Sequence, residues 1–268
     1  MESRRSPFGE HPPLGRVLSS RLQYGLMAKL TPAMTDPLLN EFALRSFRDV
    51  ADGDYIAARM AYRADLLLQA FWASQQAIEK YIKGILLFRR IPYTKRTHSL
   101  TKLLGKLERT FPLNLSAGAR RFITFIDEWD VDRYFTFPYV SDGDELFKLD
   151  ETVWEVRRYC IPVDKRVSPQ GTPARELDLR HIESARDRPP QIFRTTVPGV
   201  IERELDPNSP AYKALTWKNL YFGNPRRKSV RHALKSTSHN SPLFLYPEII
   251  DELKNFIYIP DSAEILKR

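Results

Sequence analysis

Glu79 and Lys83 stand one helical turn apart in SQQAIEKYIKGILLFRRI, the strongest apolar run of the chain. At about 100° per residue, Glu79 falls roughly 20° from Trp72 and roughly 20° from Leu86, on the flank of the apolar stripe. Lys83 follows on the same strip. Two readings fit this spacing. One is an i, i+4 ion pair at the edge of a helical bundle, worth about 0.2–0.5 kcal/mol. The other is a polar cleft between helices.

A second chemical signal lies in WKNLYFGNPRRKSVRHALK. Trp217, Tyr221 and Phe222 precede a basic patch of Arg226, Arg227, Lys228, Arg231 and Lys235. Stacking surfaces mixed with phosphate-neutralising charge suit single-stranded nucleic acid. The same composition suits a solvated basic helix whose aromatic residues are buried on a core, or a surface for an acidic protein.

Other chemistries lack their residues. There is no glycine loop to cradle a phosphate, no serine–histidine–aspartate arrangement on a recognisable elbow and no metal-ligand histidine pair, so neither a cofactor nor a metal is expected. The lone Cys160 excludes an intramolecular disulfide and points to a reducing cytoplasm.

The 268 residues suit one main domain with appendages. Hydrophobic residues make up 42% and mean hydropathy is −0.43, as in a soluble globular protein. No apolar run approaches the roughly 20 residues that span a bilayer, so no membrane partner is expected. Forty-two Lys and Arg against 33 Asp and Glu leave a charge of +9, which suits an acidic partner such as nucleic acid.

Proline marks the organisation. Only Pro92, Pro112 and Pro138 fall between Glu41 and Cys160, whereas twelve follow Cys160. Because proline breaks helices, the middle segment is expected to be the helical domain. Residues 1–40 read as a disordered tail, with a second plausible start at Met27; residues 41–160 read as the bundle, and 161–268 as a proline-rich, partly helical extension packed on it.

Within the bundle, a helix from Phe42 to about Tyr62 is expected to weaken at the DGD of Asp52–Asp54. Asp65 is expected to cap the next, which runs to about Arg90. Thr97 should cap a third, Ser116 should open a fourth, and the DGDE of Asp142–Glu145 offers a capping box for a fifth. Short loops between amphipathic helices predict a mainly α, up-and-down antiparallel bundle. Beyond it, QIFRTTV suggests a strand, Ser209 and Pro210 a helix start, and Pro247 to Phe256 another helix.

AFWASQQAIEKYIKGILL, THSLTKLLGKL and DVDRYFTFPY resemble, in order and spacing, the HEPN domain family over about residues 42–160. The resemblance implies a helical bundle that commonly forms homodimers. It implies membership of a group that includes ribonuclease toxins paired with nucleotidyltransferase antitoxins, and non-catalytic members that bind RNA, nucleotides or protein partners. By position it implies that Gln76, Glu79, Lys83, His98, Arg133 and Tyr134 border one interhelical groove. The family's proline directly after Arg133–Tyr134 is displaced here to Pro138.

The family's ribonucleases carry an arginine five to seven residues before a histidine. His98 is the one histidine between Glu41 and Cys160, and Arg89, Arg90 and Arg96 upstream of it lack that spacing. Outside the bundle, Arg175 with His181 and Arg226 or Arg227 with His232 have it. The leading expectation is a non-catalytic binding module for RNA, a nucleotide or a protein. The alternatives are a metal-independent endoribonuclease acting as a toxin or defence effector, and a purely structural dimerisation domain.

Overall fold

The computed structural model describes residues 32–93, 97–129, 138–162, 199–223, 229–230, 237–259 and 261–267. The chain divides into two compact units, residues 1–38 and 39–268. Helix α1 covers Pro32–Phe42, and a π-helical stretch over Ala43–Arg48 leads into α2, Asp49–Arg63. Then follow α3 (Leu67–Phe88), α4 (Leu100–Glu108), α5 (Ala117–Trp129), strand β1 (Tyr139–Ser141) and α6 (Glu145–Arg157). Past residue 198 come α7 (Val200–Glu204), α8 (Tyr212–Thr216), β2 (Thr237–His239), α9 (Pro242–Leu245) and α10 (Ile250–Leu253). The fold is mainly α, and among the described residues it is a helical bundle with one two-stranded ribbon.

Helix α3 is the central element because apolar residues surround most of it. Ile78, Tyr81, Ile82, Ile85 and Leu86 are fully buried and meet Leu100, Leu107, Ile123, Ile126, Val153 and Val156 from the surrounding helices. Each such side chain removed from water contributes about 1.5–3 kcal/mol before entropy is counted. Ile201, Leu215 and Phe222 complete the same core, so the segment 199–223 is part of the packed body. A smaller cluster of Leu243, Ile250, Ile259 and Ala263 forms near the C-terminus.

Several boundaries differ from those the sequence suggests, each for a definable reason. The DGD does not interrupt α2: Asp52 is fully buried and hydrogen-bonded, and the helical irregularity falls earlier, at Ala43–Arg48. Asp65 is not a cap. It turns the corner between α2 and α3 at φ 60°, a conformation that aspartate tolerates better than most residues. At α4 the cap is Ser99, whose Oγ accepts from Lys102 N at 3.3 Å, while Thr97 Oγ1 accepts from Ser99 N. Asp127 of α5 reinforces this helix start by accepting from Leu100 N at 2.6 Å and Thr101 N at 3.0 Å, where the helix dipole favours an anion.

Ser116 does cap α5, accepting from Ala119 N at 3.0 Å. At α6 the residue before the helix, Asp144, makes no capping bond, and Glu145 instead reaches back to Asp142 N at 2.7 Å. Helix α8 starts at Tyr212, two residues after Pro210, although Ser209 Oγ accepts from Ala211 N. The expected helix from Pro247 to Phe256 is a 3₁₀ turn, Pro247–Ile249, followed by the short α10. QIFRTTV lies outside the described residues.

The strands pair antiparallel, Tyr139 opposite His239. Their rings stack with centroids 4.5 Å apart, and Tyr139 joins Phe71, Phe125 and Trp129 in an aromatic cluster.

Candidate functional site

The side chain of Glu79 is 6% exposed, against 18% for Lys83 and 46% for His98. The carboxylate therefore sits beneath two groups that solvent reaches. Its position follows from helical phase: Trp72 on one side of it is 57% exposed and Leu86 on the other is fully buried. Glu79 thus marks the edge where α3 leaves the core, and Trp72 belongs to the surface rather than to the apolar stripe.

Lys83 Nζ donates to Glu79 Oε1. His98 Nδ1 lies 3.2 Å from Oε1 and 3.3 Å from Oε2. A carboxylate only accepts, so the proton of this contact sits on Nδ1 and the second ring nitrogen is left to other partners. Gln75 Nε2 donates to Glu79 Oε2 and to the His98 carbonyl, both at 3.1 Å. The backbone of His98 is thereby tied to α3, while the cap of α4 fixes it from the other side.

The network continues outward. Gln76 Nε2 donates to Gln75 Oε1 at 2.6 Å, Lys80 Nζ donates to Gln76 Oε1 at 3.2 Å, and Lys80 pairs with Asp54 of α2. One polar relay therefore crosses α3 from α2 to the start of α4. Nearby, the pKa of the Tyr93 hydroxyl is raised, by burial first and then by the negative charge of Glu79.

Of the residues singled out by sequence, the structure brings Glu79, Lys83 and His98 into direct contact and places Gln76 one bond further out. Gln75, which the sequence reading passed over, is the amide that touches Glu79; it is almost fully buried. Arg133, Tyr134, Arg175, His181, Arg226, Arg227, Lys228, Arg231, His232 and Lys235 lie outside the described residues. Of the aromatic residues preceding the basic patch, Phe222 is buried, and Trp217 and Tyr221 are half-buried against the core. Tyr221 stacks on Trp154, and the Arg63 guanidinium lies over Trp217.

Two buried ionic networks had no local sequence signal. Asp52, fully buried, accepts from Tyr81 Oη at 2.7 Å, from Arg157 Nε and Nη2 at 2.7 and 2.8 Å, and from Ile201 N at 3.2 Å. Arg157 also donates to both carboxylate oxygens of Glu202 at 2.7 Å. Burial alone favours protonated Glu202, but Arg157 outweighs it and holds the pKa down at about 2. In the second network, buried Arg59 pairs with Asp150, which accepts from Tyr55 Oη at 2.7 Å, and Arg59 also donates to the carbonyls of Ala214 and Trp217. Both networks fasten residues 199–223 to the bundle. Among the described residues, no group of three or more His, Cys, Asp or Glu is arranged to hold a metal ion, and no helix is long and apolar enough to cross a membrane.

Neither the curated proteins nor the solved structures give a significant match to this chain. A model of the HEPN domain family matches residues 44–158, a range that begins in the π-helical stretch, takes in all of α2 to α6 and includes Glu79, Lys83 and His98. Over these residues the helical bundle of this chain is similar to the HEPN domain family.

Proposed function

We propose that the HEPN domain is a non-catalytic binding module whose ligand, an RNA or a nucleotide, presents a phosphate to Lys83 and His98. The observation that carries this reading is the exposure gradient over Glu79: a buried carboxylate orients an accessible imidazole and a partly accessible ammonium side by side. Lysine acts as a point charge toward phosphate, and an imidazolium whose Nδ1–H is anchored on Glu79 donates from Nε2–H to a phosphate oxygen. The chain's excess of positive charge favours encounter with such a ligand. Turnover is not part of the proposal, because no arginine of the bundle stands at ribonuclease spacing from His98 and Glu79 is already committed to Lys83, Gln75 and the imidazole.

One observation favours a different reading. Both oxygens of Glu79 are fully engaged within the chain, as they would be if the cluster only fixed the register of α3 against α4. A single gel separates these possibilities. Native protein, Lys83→Ala and His98→Ala are each incubated with mixed single-stranded RNA in EDTA, and cleavage and retention are read together. The binding reading expects retention without cleavage, weakened about tenfold in Lys83→Ala, the loss of one charge-assisted hydrogen bond. Cleavage that disappears in His98→Ala would make the domain a metal-independent ribonuclease. Equal failure of all three to retain RNA, with the variants merely less stable, would leave the structural reading.

A further inference from the structure

A single apolar residue in solvent is ordinary. What distinguishes Trp72 is the strip on which it stands. Trp72, Gln76, Glu79 and Lys83 follow one another at spacings of four, three and four residues, which holds them within about 60° of one another around α3. The buried carboxylate, and the ammonium and imidazole that it braces, therefore share a face of the helix with an indole that is 57% exposed. Among the described residues, no second ring or cation packs on that indole. The other three tryptophans, Trp129, Trp154 and Trp217, are packed against the core.

The surroundings decide what such a ring is suited to hold. Between Trp72 and Lys83 the strip carries only Gln76 and Glu79, so no apolar patch continues from the ring toward the cluster, as a protein partner's docking surface would need. An aromatic face beside groups that meet phosphate is instead the combination that single-stranded nucleic acid uses, with bases stacking while cations follow the backbone. Trp72 precedes Glu79 by seven residues, about 10 Å along the axis of α3. That gap exceeds the distance between the phosphate of a nucleoside monophosphate and its own base. A base on Trp72 and a phosphate at Lys83 and His98 thus belong to different nucleotides of one strand.

We propose that Trp72 is the base-stacking residue of this site, and that its ligand is a single strand of RNA laid along α3 rather than a free nucleotide. The inference rests on the phosphate reading at Lys83 and His98.

Tryptophan fluorescence of the full chain reads the contact directly, because a stacked base quenches an indole and Trp72 is the exposed one of the four tryptophans. A short single-stranded RNA, the same ribose phosphate backbone without bases, and uridine monophosphate are titrated separately, and the His98 ring nitrogens are followed in parallel by NMR. The RNA is expected to quench the native protein saturably and to shift His98 Nε2. The base-free backbone and the monophosphate are expected to shift His98 without quenching. Trp72→Ala, at an exposed position, should keep the native Tm, bind the RNA about tenfold more weakly for want of one stacked base, and bind the base-free backbone as the native protein does. Trp72→Phe, which keeps an aromatic face, should lose less. RNA that shifts His98 without quenching, equal RNA affinity in native protein and Trp72→Ala, or quenching by the monophosphate equal to that by RNA would each overturn this inference and leave the phosphate reading standing. RNA that moves neither His98 nor Trp72 would remove the phosphate reading, and this inference with it.

Discussion

Asp52 and Arg157, 105 positions apart in the chain, meet in a bidentate ion pair at 2.7 and 2.8 Å, with Asp52 fully buried. The pair joins α2 to α6, and through Glu202 and Ile201 it joins both to α7. Removing one member leaves the other charged and buried. Arg157→Ala should therefore cost about 3–5 kcal/mol of unfolding free energy. The Asp52→Ala/Arg157→Ala double variant should recover part of that loss, as read from denaturant midpoints in a double-mutant cycle.

Gly199 shows how closely α7 approaches this pair. A Cβ there would lie 2.5 Å from Arg157 Nη2 and 2.6 Å from Asp52 Oδ2. Gly199→Ala should destabilise the protein by forcing this ion pair to shift, whereas Gly53→Ala, in open space, should not. Thermal unfolding of the two variants side by side makes the comparison.

Glu202 adds a pH dependence whose sign is fixed by its lowered pKa. A carboxylate that titrates at about 2 when folded and near 4.5 when unfolded contributes stability that is fully present above pH 4.5. That contribution fades as the pH falls toward 2. The stability difference between the native protein and Glu202→Gln should accordingly be largest near neutrality and shrink across this window, as measured by urea unfolding at each pH.

These networks also show what could and could not be read from the sequence. The apolar periodicity that places α3, α5 and α6 is local, and the structure follows it to within a few residues. Asp52 escaped because Asp-Gly-Asp has the composition of a helix breaker, and its partners Tyr81 and Arg157 lie 29 and 105 positions away. Local propensity has no access to such partners. At the candidate site, Glu79, Lys83 and His98 stand in recognisable motifs, but that Gln75 touches Glu79 directly while Gln76 stands one bond further out turns on one residue and about 100° of helix rotation. Only packing decides which of the two amides turns inward.

Cys160 is buried and burial pushes its thiol pKa up to about 12. Since the thiolate is the reactive form, native protein should resist a thiol reagent such as DTNB, and one equivalent should react on unfolding. Rapid labelling of the native chain would show that the contact of Cys160, just past α6, with the Tyr81 carbonyl of α3 opens readily.

The central claim is that His98 and Lys83, braced by Glu79, meet a phosphate-bearing ligand. The most direct measurement follows the His98 ring nitrogens by two-dimensional NMR while a short single-stranded RNA, and separately a nucleoside triphosphate, is titrated into the native protein. The account predicts that one of these ligands shifts the His98 Nε2 resonance saturably while Nδ1 keeps its proton, and that Lys83→Ala raises the apparent Kd about tenfold. If both nitrogen resonances stay unmoved at saturating concentrations of both ligands, the cluster is not a phosphate site.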